Sequence, residues 1–351
     1  MVAADQLDWN NLGFEYRETN GYIKYTWTPE KGWDQGSWET DSLMKVHVCA
    51  SGLHYGQQCF EGLKAFKTKD GRVRVFRPQA NASRMRRSAS AAFMPEVPEE
   101  LFMDAIHKVV SKNVDYVPPA ETGGSLYLRP LIFGSGAMIG MGMAPEYTFL
   151  VFGTPVGSYY KSGVKAVDAY VVEDYDRTAP LGMGSYKLGG NYAPTFGPMK
   201  KAAEKGFAIT LHLDAKTHTY IDEFSTSNFA ALTAPDENGV RTFVTPNSSS
   251  ILRSITRISL EDIVTKLGWK VDERPIKFSE LEEGKFEEVA AVGTAVIITP
   301  VKSITRGDQV IKVGKDENIG KGFKTLYDYY RGLQKGDIED SFGWLWPAEG
   351  L

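Results

Sequence analysis

Cysteine is nearly absent from this chain of 351 residues: Cys49 and Cys59 are the two it holds. They make no CxxC pair, no zinc set and no disulfide framework, which fits a reducing compartment. Histidine is scarce as well. His47, His54, His107, His212 and His218 are the five, none at ligand spacing from another, so all are read as structural or surface residues and no metal is expected. No run of about twenty apolar residues occurs, so no membrane-spanning helix is expected. An excess of positive charge is missing too. The net charge of −4 argues against a nucleic-acid or anionic-membrane partner. The first residues, Met1 to Asp8, lack the basic region and apolar core of a secretory signal and the arginines of a mitochondrial transit peptide, which points to the cytoplasm. Internal repeats and low-complexity tracts are absent.

What is present suits a soluble enzyme with one or two real cores: 42% hydrophobic and 24% charged residues, over a length sufficient for two domains. Tyr22 to Trp27 reads as a strand. The second half of Leu53 to Phe66 and Val73 to Phe76 read as a hairpin around the favoured Asp70-Gly71 corner. Pro78 breaks the pattern and residues 81–92 form a helix carrying Arg84, Arg86 and Arg87. Residues 98–114 form the clearest helix of this half, with Glu99 and Glu100 in its first turn and Leu101, Phe102, Ala105, Ile106, Val109 and Val110 as its apolar stripe. Ser125 to Pro130 alternates like a strand, a Gly- and Met-rich loop runs from Gly134 to Met143, and Tyr147 to Phe152 is a continuous apolar strand. The division expected is a smaller N-terminal α/β domain (1–152), a linker (153–163) and a larger C-terminal domain (164–351). Strands are read at 164–172, 208–213, 219–223 and 242–245, with helices from Ile255 to Leu267 and from Gly322 to Leu333. Glu288 to Ile298 reads as one strand broken at Gly293-Thr294. The fold class expected is α+β, strand-rich, in two lobes.

The chain is organised around Gly184-Ser185-Tyr186-Lys187-Leu188-Gly189-Gly190-Asn191-Tyr192-Ala193-Pro194. Lys187 stands at the end of a glycine-loosened segment that feeds a helix, in which Phe196, Met199 and Ala203 fall at helical spacing before the stop at Gly206. A lysine beside glycines, where a flat ligand can approach the backbone, is a candidate Schiff-base lysine.

Together with Tyr55 to Phe66, Phe76 to Arg87, Leu126 to Pro130, Glu223 to Phe229, Ile251 to Leu260 and Val292 to Val301, this segment resembles the branched-chain aminotransferases of the fold-type IV pyridoxal-phosphate class, in the family's order. The resemblance implies the two-domain architecture of that class and pyridoxal 5'-phosphate as cofactor, bound through Lys187 in the C-terminal domain. It places Tyr192 at the ring's phenolic oxygen and Glu223 at the ring nitrogen. Arg84, the backbone amides of Ile255 and Thr256, and Thr294 would hold the phosphate, as a helix N-terminus and a cation suit a dianion. It places Tyr55, Phe60, Tyr127 and Thr226 in the side-chain pocket, Arg129 at the second carboxylate of glutamate, and Thr294 and Ala295 at the α-carboxylate. Ile139 and Met141 would be donated across the interface of a homodimer. The activity implied is amino transfer from L-leucine, L-isoleucine or L-valine to 2-oxoglutarate. The rivals are another fold-type IV transaminase, acting on a D-amino acid or an (R)-amine, and aminodeoxychorismate lyase.

Three places depart from the family's pattern. Ser225 and Ser227 replace the usual Gly and Met around Thr226. Arg253-Ser254 replaces Pro-Gly before the phosphate helix. Val296 and Thr299 stand where some members carry a CxxC pair. The first two changes border the expected substrate and phosphate sites and bear on substrate identity.

Overall fold

A computed structural model describes residues 3–158, 164–314, 317–347 and 349–351. The chain divides into two compact units. One comprises Met1–Tyr159, Tyr186–Gly189 and Gly332–Leu351, the other Tyr160–Ser185 and Gly190–Arg331. Lys187 thus clusters with the first unit, not with the C-terminal domain expected from the sequence.

The first unit is an antiparallel sheet with helices packed on it. Its strands are β1 (Tyr22–Thr28), β2 (Gly32–Trp33), β3 (Ser37–Glu39), β4 (Gln58–Phe60), β5 (Leu63–Lys67), β6 (Val73–Phe76), β7 (Ser125–Gly134) and β8 (Tyr147–Val156). They run in the order β6-β5-β7-β8-β1-β2, with β3 on β1 and β4 on β7. Besides the short α1 (Ser51–His54), the helices are α2 (Pro78–Ala91) and α3 (Glu99–Lys112). Pro78 opens α2 instead of breaking it: it stands at the first helical position, where a missing N–H costs nothing, after Arg77 at φ 50°. On α3 the buried residues are Phe102, Ala105, Ile106, Val109 and Val110, the three-and-four spacing of a helix laid on a core. They join Leu63, Ala65, Val75, Leu126, Leu128, Phe149 and Val151 in one hydrophobic cluster.

Two proline-containing stretches remain strand. β7 continues through Pro130 to Gly134. Pro130 falls between the residues paired with β5 (Leu126 to Leu128) and those paired with β4 (Leu131 to Phe133), where no ladder donor is needed on that edge. β8 continues through Gly153, Thr154 and Pro155, paired with β7. Residues 153–156 are therefore strand, not the linker expected from their composition; residues 159–163 of that linker lie outside the described residues.

The second unit holds β9 (Val167–Val172), β10 (Ile209–Leu213), β11 (Ile221–Phe224), β12 (Ser227–Leu232), β13 (Thr242–Pro246), β14 (Lys270–Arg274), β15 (Glu288–Gly293), β16 (Ile297–Arg306) and β17 (Gln309–Lys312). The order β11-β10-β9-β16-β15-β12 closes on itself through a β11–β12 pairing, so six strands form a ring with β13 and β14 extending from β12. Closure removes sheet edges. Helices α4 (Phe196–Glu204), α5 (Ile255–Lys266), α6 (Ser279–Glu282) and α7 (Lys321–Lys335) accompany it. The expected strand 288–298 is two antiparallel strands, turned between Gly293 and Ile297. On α4 the expected stripe is reversed in part: Phe196 is 64% exposed, while Ala202 is the buried residue. Two short 3-10 turns at Gly189–Asn191 and Ala193–Thr195 precede this helix. The last strand, β18 (Leu345–Trp346), belongs to the first unit and pairs antiparallel with β6.

Candidate active site

In the first unit the backbone of Lys187 is fixed on both sides. Its N–H donates to Ser88 Oγ on α2 at 3.0 Å, and its carbonyl accepts from Phe60 N on β4 at 3.2 Å. Leu188 forms an antiparallel bridge with Cys59. The Gln58 side-chain amide packs where a Cβ on Gly189 would stand, so a larger residue there would have to displace it. The segment is loose in composition but seated in geometry. Lys187 is half-buried, with Nζ 4.7 Å from the Phe60 ring centroid.

Phe60 is also the platform for Arg129, whose guanidinium lies 4.8 Å from the same ring centroid. Arg129 Nη2 donates to the Tyr127 hydroxyl at 3.1 Å, and its Nε is buried without a hydrogen-bond partner. Gly62 leaves room for that hydroxyl, since a Cβ there would overlap it. Four expected site residues, Lys187, Phe60, Tyr127 and Arg129, are thus brought together. Tyr55 meets Ile139, donating its hydroxyl to the Ile139 carbonyl at 2.5 Å. Tyr55 is 48% exposed, Ile139 73% and Met141 89%.

Arg84 is buried and engaged by a carboxylate that the sequence reading left without a role. Its Nε meets Glu61 Oε1 and its Nη2 meets Glu61 Oε2, each at 2.7 Å. Asn81 Nδ2 adds a third donor to Glu61 at 2.7 Å. Glu61 is fully buried, and a carboxylate there is tolerable because three side-chain donors satisfy it.

In the second unit Glu223 lies on β11, 3% exposed. Arg177 Nη1 donates to Glu223 Oε1, and Asn228 Nδ2 on β12 donates to Oε2 at 3.0 Å. Burial raises the Glu223 carboxyl to about 7, although the Arg177 charge pulls it down. Arg177 also donates Nε to the Ser225 carbonyl at 3.3 Å, and its guanidinium sits 5.9 Å from the Tyr192 ring centroid. Glu223 and Tyr192 are therefore joined through an arginine absent from the expected set. An arginine five residues after the end of an apolar strand gives little signal in sequence; the fold makes it a partner.

Asn228 extends the network to α5. Its Nδ2 also reaches the Leu252 carbonyl at 2.8 Å, and its Oδ1 accepts from Ser254 N at 3.1 Å. Ser254 caps the helix by accepting from Arg257 N. Ile255 and Thr256 follow in the first turn, and the Thr256 hydroxyl is buried with no hydrogen-bond partner. Thr226 is exposed at the β11–β12 turn. A Cβ on Gly293 would lie 3.3 Å from Ser227 Oγ and 3.8 Å from the Thr226 carbonyl, so this turn faces the one that carries Thr294 and Ala295. Ile297, at the end of the second turn, holds φ 68°, a strained conformation for a β-branched residue.

The departures divide. Ser225 does not border the turn tips with its side chain: Oγ is buried against Thr210 Oγ1 and His212 Nε2, the latter at 2.7 Å. Burial lowers His212 to about 4, with Arg177 adding to the effect. Ser227 stays beside Gly293, and Arg253 is exposed. Among the described residues no cluster of three or more His, Cys, Asp or Glu could hold a metal, and no helix is long and apolar enough to cross a membrane.

The donor set fits pyridoxal phosphate. An orphaned buried hydroxyl at the start of a twelve-residue helix suits a phosphate, and a buried carboxylate suits a ring nitrogen that carries a proton. Comparison with known proteins agrees. The family model described as amino-transferase class IV matches residues 58–304. A branched-chain-amino-acid aminotransferase of Haemophilus influenzae is 44% identical over 98% of this chain and 99% of that protein. The aminotransferase atnJ of Emericella nidulans is 43% identical over 94% and 95%. The crystal structure of the Escherichia coli branched-chain amino acid aminotransferase covers 93% of this chain and 99% of its own, with TM-score 0.76 and 27% identity.

Proposed function

The chain belongs to the class IV amino-transferase family, and from that premise we propose that it moves the amino group of L-leucine, L-isoleucine or L-valine to 2-oxoglutarate, with pyridoxal 5'-phosphate as cofactor. The observation that carries the substrate reading is the group built on Phe60. Lys187 Nζ lies 4.7 Å from that ring and Arg129 4.8 Å from it, with the Tyr127 hydroxyl bound to Arg129. A transaminase takes an aliphatic donor and a dicarboxylate acceptor in turn at one site. Aromatic surface suits the first, and a guanidinium with one donor still unpaired suits the second.

Pyridoxal phosphate, when bound, supplies the electron sink for bond breaking at the substrate Cα. Lys187 would hold it covalently, Tyr192 its phenolic oxygen and Glu223 its ring nitrogen. Arg84, Ile255, Thr256 and Thr294 would hold its phosphate. Lys187 Nζ would then act as general base and acid, taking the proton from the donor's Cα in one half-reaction and delivering one to the acceptor's 2-carbon in the other. Thr294 and Ala295 offer backbone amides in a turn to the α-carboxylate. Tyr55, Phe60, Tyr127 and Thr226 would line the side-chain pocket, where one methylene is worth about 1–3 kcal/mol.

An amino-donor panel, run against 2-oxoglutarate and against pyruvate, tests the assignment. Leucine, isoleucine and valine with 2-oxoglutarate are expected to lead; strong turnover of an amine with no branched-chain activity overturns it. A shifted donor is the second reading, favoured by Ser227 at the turn and by the 43% identity to a relative whose name carries no substrate. A homodimer in the cytoplasm completes the proposal. Exposed Ile139 and Met141 support the dimer, and light scattering on the eluted protein measures it.

A further inference from the structure

We propose that Arg177 is a positioning residue that shifts Glu223 toward its charged carboxylate form and aims it at the cofactor's ring nitrogen, an inference that rests on the cofactor assignment above. Arg177 is itself buried, 5% exposed at its side chain, and its guanidinium is committed in three directions. Nη1 contacts Glu223 Oε1, Nε holds the Ser225 carbonyl at the β11–β12 turn, and the face lies near Tyr192. It therefore fixes the carboxylate, the turn behind it and the aromatic ring assigned to the cofactor's phenolic oxygen.

The physical need is specific. A carboxylate 3% exposed favours its neutral form. A neutral carboxyl does not stabilise a proton on a ring nitrogen, so the electron sink would weaken. The other groups packed around Glu223 do not supply the missing charge. Asn228 is neutral. Asp222, next along β11, opposes ionisation. His212, opposite Glu223 on β10, is held neutral by burial near neutral pH. Asp176, beside Arg177 in sequence, is paired with His218 at 2.7 Å. Arg177 brings a full positive charge into direct contact, and a guanidinium does not lose its proton on burial.

A double-mutant cycle on cofactor affinity separates this role from a merely structural one. Arg177→Gln, Glu223→Gln and the double variant are made in the full chain and freed of cofactor, and their denaturation midpoints are recorded. Pyridoxal phosphate is then titrated into each and followed by its absorbance. If Arg177 acts through Glu223, Arg177→Gln weakens binding by about tenfold or more in the native background but by less than about twofold when Glu223 is already glutamine. Arg177→Lys, which keeps the charge and loses the fork, falls between and loses its effect in the same way; it decides the question if the glutamine variant does not fold. Equal losses in both backgrounds overturn the proposal, as does an Arg177 variant that binds like the native protein. A native protein that takes up no pyridoxal phosphate sinks the cofactor assignment and this inference together. One that binds while the two losses add sinks this inference alone.

Discussion

At the scale of single residues, the structure turns isolated charges into pairs. Glu61 sits in an apolar stretch of sequence and Arg84 follows 23 positions later; nothing local connects them. In the fold they make a buried fork with Asn81. Glu61→Ala should therefore cost about 3–5 kcal/mol, because it strands a buried guanidinium, and Glu61→Ala with Arg84→Met should recover part of the loss. Urea denaturation of the three proteins measures both. Glu223 and His212 give a second residue-scale prediction. The carboxyl of Glu223 is raised from 4.5 to about 7 in the fold, so the unfolded chain releases its proton first and stability falls as pH rises from about 4.5 to about 7. His212 is lowered from 6.5 to about 4, so the unfolded chain binds its proton first and stability rises over about 4 to 6.5. Each effect is about 3 kcal/mol, and across the shared window they oppose. Relative to cofactor-free native protein, Glu223→Gln should tilt the profile toward rising with pH and His212→Gln toward falling, in urea midpoints taken at pH 4 to 8.

At the scale of elements, legibility depended on whether a signal was local. The α3 stripe and the Asp70-Gly71 hairpin could be read because side-chain period and turn chemistry act within a few residues. Pro78 was read as a break although a first-turn proline costs a helix nothing, and Pro130 and Pro155 sit in strands because their neighbours excuse the missing donor. Element ends at the site are also where capping matters. Ser254 accepts from Arg257 N at the start of α5, while the Thr256 hydroxyl in the same turn lacks a partner. The two should separate on mutation. Ser254→Ala removes a cap and should lower stability by about 1 kcal/mol. Thr256→Val removes an unsatisfied buried hydroxyl and should hold or raise the stability of cofactor-free protein while weakening phosphate-dependent binding. Thermal denaturation with and without pyridoxal phosphate distinguishes them; a stabilising effect of the cofactor that is unchanged in Thr256→Val would remove Thr256 from the phosphate set.

At the scale of the whole molecule, the resemblance assigned roles to Lys187, Tyr192, Glu223 and the start of α5, in order along the chain. It did not show that Lys187 clusters with the first unit, or that the second unit closes into a ring. Those depend on strand pairings between residues more than a hundred positions apart, such as Val167 with Val301. The same long-range seating sets Lys187 apart as the lysine proposed to react. Lysine is common and mostly solvated in this chain, whereas Lys187 has its backbone held by Ser88 and Phe60 and its ammonium set against an aromatic ring. A lysine that must be covalently joined to a cofactor and then released to carry a proton needs that fixed origin. Borohydride added to protein loaded with pyridoxal phosphate should fix one equivalent of cofactor on the peptide containing Lys187. The same treatment of Lys187→Ala should fix almost none, while Glu223→Gln should still label Lys187 at a higher cofactor concentration. Label on another lysine in the native protein, read by peptide mass mapping, would move the chemistry elsewhere and end the assignment.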